Sequence, residues 1–138
     1  MLELPISTNN STNKDFINRI RSKILKEYEK IQRSFVDESG LSVTTALDDS
    51  DIEKLVMQAL EEAKVPISWR NLKALFQGIV GEDRLRRILN SLKARNTIAE
   101  LTHTRYSLPK YVPDEELNKV KNPLAMKKIR ESRENSIN

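Results

Sequence analysis

The stretch Asp83-Arg-Leu-Arg-Arg-Ile-Leu-Asn-Ser-Leu-Lys-Ala-Arg-Asn-Thr-Ile98 decides the reading of this 138-residue chain. Leu85, Ile88, Leu89 and Leu92 recur at spacings of three and four, which places them on one helical stripe turned toward a core. At ~100° per residue the opposite side carries Asp83, Arg86, Arg87, Asn90 and Ala94, with Ser91 beside them. The spacing predicts a helix from about Glu82 to Arg95. Asn96 follows it as a left-handed terminator, since Asn tolerates that backbone better than most residues.

Upstream, Gly78-Ile-Val-Gly81 reads as a turn. Before it, Ser68 caps a shorter helix whose Leu72, Leu75 and Phe76 face inward. Val65-Pro-Ile67 is short, extended and apolar. It stops a first helix, from about Asp51 to Lys64, in which Ile52, Leu55, Val56, Ala59, Leu60 and Ala63 form the apolar stripe. Ser50 and Glu53 have the spacing of a capping box for that helix. Downstream, Ile98-Ala-Glu-Leu101 and Arg105-Tyr-Ser-Leu108 flank Thr102-His-Thr104 as a hairpin that Pro109 ends.

The flanks extend this core on both sides. Residues 1–13 are polar and are expected to be disordered. Residues 14–36 form an amphipathic helix, with Asn13 as its cap and Ile17, Ile20, Ile24 and Ile31 on its stripe. Such a stripe needs a partner. Its near-heptad spacing suits pairing with a second copy, and packing across its own domain is the other use. Residues 37–49 break the period and read as a linker. Residues 110–138 read as a helical, basic tail, with one short helix near Pro113–Lys119. A second starts at Asn122-Pro123 and runs to about Arg133.

The fold class is thus mostly α with a small β-hairpin. Helix, extended segment, helix, turn, helix and hairpin follow each other in the order of the winged helix-turn-helix, and residues 51–108 resemble that superfamily. The resemblance implies a winged-helix domain over about residues 50–109, with Asp83–Ile98 as its third helix and Arg105–Leu108 as the returning wing strand. Two features depart from the pattern. Asn96 stands where glycine is frequent, and the wing tip is short and lacks glycine.

Composition narrows the chemistry. No cysteine and a single histidine exclude disulfides, a thiol nucleophile, thiolate-ligated zinc and most His-rich metal sites. No P-loop or dinucleotide fingerprint is present, and no histidine or lysine is poised beside the acidic pairs. A non-enzyme without cofactor or metal is expected. Met1-Leu-Glu-Leu-Pro does not read as a secretory signal, and no run reaches the ~18 apolar residues of a membrane helix. A cytoplasmic location is expected, nucleoid-associated if the chain binds DNA.

Charge is segregated along the chain. Residues 48–64 carry two basic and six acidic side chains, and residues 65–110 carry nine basic and three acidic. If the two stretches present different sides, a polyanion chooses the second. Arg86, Arg87 and Asn90 are chemically apt readers of guanine and adenine, with Ser91 and Lys93 beside them. Arg70, Lys73 and Arg105 suit phosphates. Trp69 reads as a partly buried packing residue. The GxxG at Gly78–Gly81 has the form of a KH-type RNA loop, but its inner residues are apolar and favour a plain turn.

Two functions fit. The first is a DNA-binding regulator or nucleoid-type factor whose third helix enters the major groove of double-stranded DNA, either alone or as a dimer through residues 14–36. The second is a protein-interaction subunit docked into a larger transcription, replication or ribosomal assembly. The second draws on the long amphipathic helix, the acidic first helix and the stubby wing. Burial of the Arg86–Asn90 ridge under either extension would exclude the first.

Overall fold

The structure is a computed structural model that describes residues 5–33 and 47–137, with side chains over 13–32 and 47–134. The element order is α1 (Pro5–Arg33), α2 (Asp49–Ala63), β1 (Ile67–Ser68), α3 (Trp69–Phe76), α4 (Glu82–Ala94), β2 (Ala99–Leu101) and β3 (Arg105–Ser107). Two 3-10 turns follow, Pro109–Tyr111 and Asp114–Lys119, and then α5 (Pro123–Ile137). The chain is mostly helical with one small antiparallel sheet in the order β1-β3-β2. Among the described residues, no helix is long and apolar enough to cross a membrane.

The apolar stripes converge as their spacing requires. Ile52, Leu55, Val56, Ala59 and Leu60 of α2, Leu72, Leu75 and Phe76 of α3, and Leu85, Ile88, Leu89 and Leu92 of α4 form one core. Ile67 of β1 pairs with Tyr106 of β3 and extends that core onto the sheet. Gly78 takes a φ of +85°, which a side chain would resist, and it lets Ile79 and Val80 fold back against the core. Asn96 is left-handed at φ 60°, as expected of a helix terminator. At the hairpin tip His103 and Thr104 are left-handed without being glycine. The backbone oxygen of Thr104 accepts the Trp69 N–H at 2.9 Å, which ties the tip to the start of α3.

α1 differs from expectation in its start and in its use. Residues 5–13, expected to be disordered, are helical, with Pro5 in the first turn. Proline suits that position, and once residues 14–33 are held, each added residue gains a hydrogen bond at little further cost. Ile17, Ile20 and Ile24 are buried against α2 and α3 of the same chain. The stripe offered for dimer pairing is therefore spent internally. Arg21 reinforces the packing by donating to the backbone oxygens of Ala74 and Leu75, both at 3.0 Å, where the end of α3 leaves carbonyls unpaired. The expected end of this helix at residues 34–36, and residues 37–46 of the expected linker, lie outside the described residues.

The linker ends earlier than residue 49, because Leu47 is already buried in the core and α2 begins at Asp49. Its cap is Asp48 rather than Ser50. The Asp48 carboxylate accepts the Asp51 N–H at 2.8 Å, and its negative charge also suits the helix dipole. Glu53 does not close a capping box and instead binds Arg95 at 2.7 Å.

The boundary at residue 109 does not hold. Instead of forming a tail, the described residues after 109 close a second apolar cluster, in which Val112, Val120, Ala125 and Ile129 pack on Ala99 and Leu101 of β2. Lys119 and Lys121 bond to the outer edge of β2, from Thr102 N–H to Lys119 O at 3.1 Å and from Lys121 N–H to Glu100 O at 2.6 Å. All three residues of β2 are consequently buried. Asn122 locks the junction: its side-chain oxygen accepts the Glu100 N–H at 3.2 Å and its amide donates to Ile98 O at 3.0 Å. α5 runs to Ile137, beyond the expected end near Arg133.

Candidate nucleic-acid interface

α4 positions the ridge. With Leu85, Ile88, Leu89 and Leu92 buried, Arg86, Arg87, Asn90 and Ser91 stand exposed on the outer side. α1 packs chiefly on α2 and α3, while α5 packs on the Pro109–Tyr111 turn and the second cluster. Neither α1 nor α5 therefore covers the ridge among the described residues, as the groove-reading expectation requires. Arg70 stands exposed on α3.

The other expected site residues are committed elsewhere to different degrees. Lys73 is bound to Glu82 at 3.2 Å. Lys93 reaches the buried carboxylate of Glu100 at 2.6 Å, with Lys121 on its second oxygen at 3.8 Å. Arg105 points away from solvent, with 22% of its side chain exposed. It donates to Glu116 at 2.7 Å and to the Thr102 carbonyl at 3.0 Å. That hydrogen bond holds the Glu116 carboxyl below its ordinary value, against an opposing effect of burial. Arg105 serves the hairpin rather than a phosphate, because the C-terminal segment brings an acid to it.

The expectation of two electrically distinct sides is also corrected. Because α2 packs on α4, the acidic stretch faces the basic one. Asp49 takes Arg84 at 2.9 Å and Arg87 at 3.8 Å, Glu53 takes Arg95, and Glu61 takes Lys110 at 2.8 Å. The Arg87 contact is long and two-thirds exposed, so solvent screens it. Arg87 stays available to a ligand at small cost.

Sequence reasoning missed one feature at this surface. The Arg86 guanidinium lies over the Trp69 ring, 4.8 Å from its centroid, and Lys73 lies 5.8 Å from the same centroid. Trp69, Arg86, Asn90, Thr104 and Tyr106 line a cleft between α4 and the hairpin. Burial raises the Tyr106 hydroxyl above its ordinary value, with the Glu100 charge adding to the effect. No protein-family model, curated protein or solved structure matches the chain.

Proposed function

We propose that the chain is a winged-helix protein that binds double-stranded DNA, with α4 in the major groove. The observation that carries this reading is the exposed ridge of Arg86, Arg87, Asn90 and Ser91 on a helix whose other side is wholly buried. Arginine presents two donors to guanine, and asparagine pairs a donor and an acceptor with adenine. Arg70 and Lys73 on α3 supply phosphate contacts, Lys73 by exchanging Glu82 for a phosphate. With Lys93 and Arg105 held by acids, about two to four phosphates are neutralised, so log K falls against log salt with a slope of about −2 to −4. A gel-shift series on random duplex DNA from about 50 to 200 mM salt measures it. Absence of binding at the low end overturns the reading. Arg87→Ala or Asn90→Ala is expected to lose sequence preference at the base pair that each residue reads, while the salt slope changes little.

The spent cations favour a second reading, a docking subunit of a larger transcription, replication or ribosomal assembly. It predicts weak, sequence-indifferent nucleic-acid binding and a stoichiometric complex with a protein partner.

A further inference from the structure

Trp69 is the only tryptophan of the chain. It opens α3, where Ser68 caps the helix by accepting the Asn71 N–H at 3.2 Å. Its backbone N–H donates to Thr104 O at 2.9 Å, and its ring packs partly buried on the main core. The ring is therefore a rigid surface, and Arg86 lies on it. The other two arginines of α4, Arg84 and Arg87, are both held by Asp49. Among the described residues, Arg86 pairs with no carboxylate. The distinction matters physically. A carboxylate partner cancels the charge that it orients, whereas an aromatic face orients a guanidinium through its quadrupole and leaves the positive charge intact. Lys73 also approaches the ring, but Glu82 holds it.

We propose that Trp69 is a positioning residue for base readout: it holds the Arg86 guanidinium, still fully charged, in the orientation that presents two donors to a guanine. The inference rests on the DNA-binding reading above. Orientation fixed before binding removes rotamer freedom that the complex would otherwise have to lose. Discrimination at the guanine is then set by the Trp69–Arg86 pair more than by Arg86 alone.

The test has two arms. In the free protein, emission from Trp69 reports the stack directly. Arg86→Gln is expected to change its intensity or wavelength, and unchanged emission overturns the proposal. In the second arm, the wild-type protein selects a preferred duplex from a random pool. Affinity is then compared with that for the same duplex after its selected G·C pair is replaced. A ratio of about tenfold or more is expected for wild type. Trp69→Leu is expected to lower that ratio to the level of Arg86→Gln, by more than it lowers affinity for random duplex. Trp69→Phe, which keeps an aromatic face, retains most of it, and the Leu/Gln double variant is no worse than either single one. Binding without guanine preference, or an unchanged ratio in folded Trp69→Leu, overturns the inference while DNA binding stands. Should Trp69→Leu not fold, the Phe variant and the emission arm still decide. Wild-type protein that binds no duplex at all instead overturns the reading beneath it.

Discussion

Arg105 marks the difference between carrying a charge and offering it. From the sequence it stands on a hairpin beside a basic helix, and its chemistry suits a phosphate. In the folded chain it is enclosed by Glu116 and the Thr102 carbonyl. Removing it should therefore weaken the fold and leave the proposed DNA binding almost untouched. Arg105→Ala is expected to destabilise by about 1 kcal/mol at neutral pH. The pH dependence carries the sign of a lowered acid. Glu116 is held below 4.5 in the folded state, so the pair contributes fully above 4.5 and its contribution fades as pH falls through the lowered value. Thermal melts of both proteins should differ at pH 7 and converge once the pH has fallen below the lowered Glu116 value. A gap that persists undiminished in acid would assign the loss to packing instead. Arg86 and Arg87 show the complementary case, because one is held by a ring and the other by a loose, solvent-screened contact.

At the scale of elements, Asn122 joins the end of α4, β2 and α5. Its amide also donates to the Asn96 side-chain oxygen at 3.1 Å, so it satisfies groups of Asn96, Ile98 and Glu100 where the chain leaves α4 and enters β2. Asn122→Ala strands the buried Glu100 N–H and Ile98 carbonyl, and is expected to cost about 2 to 3 kcal/mol in urea unfolding. A loss under about 0.5 kcal/mol, the range of surface substitutions, would contradict that role. The sequence could show Asn122 only as a helix start, since Asn followed by Pro is a local signal. Its cross-chain bonds depend on where Ile98 and Glu100 arrive. The same division runs through the whole chain. The stripes on α2, α3 and α4, the Ser68 cap, the Asn96 terminator and the outward ridge were legible because each follows from spacing or from one residue's backbone preference. The Asp48 cap, the burial of α1 on α2 and α3, and the Trp69–Arg86 stack were not. Two adjacent caps compete locally, an apolar stripe does not name its partner, and a ring contact joins elements that the sequence separates.

At the scale of the molecule, the acids of α2, β2 and the C-terminal segment neutralise much of the basic charge around α4 and the hairpin. α1 covers α2 and α3, the C-terminal segment covers β2, and the acids of α2 face cations of α4 and the turn after β3. The outer side of α4 stays exposed, with Arg87 only loosely held by Asp49. A surface of four polar side chains, two of them cationic, on one helix is suited to a groove carrying phosphates and base edges. An amide-resolved NMR titration with a short duplex tests that claim most directly. The account predicts that the largest shift changes fall on Arg86, Arg87, Asn90 and Ser91, with smaller ones at Trp69 and Arg70, while α1 and α5 stay unchanged. Changes concentrated on α1 or α5, or none along α4 at saturating duplex, would contradict it.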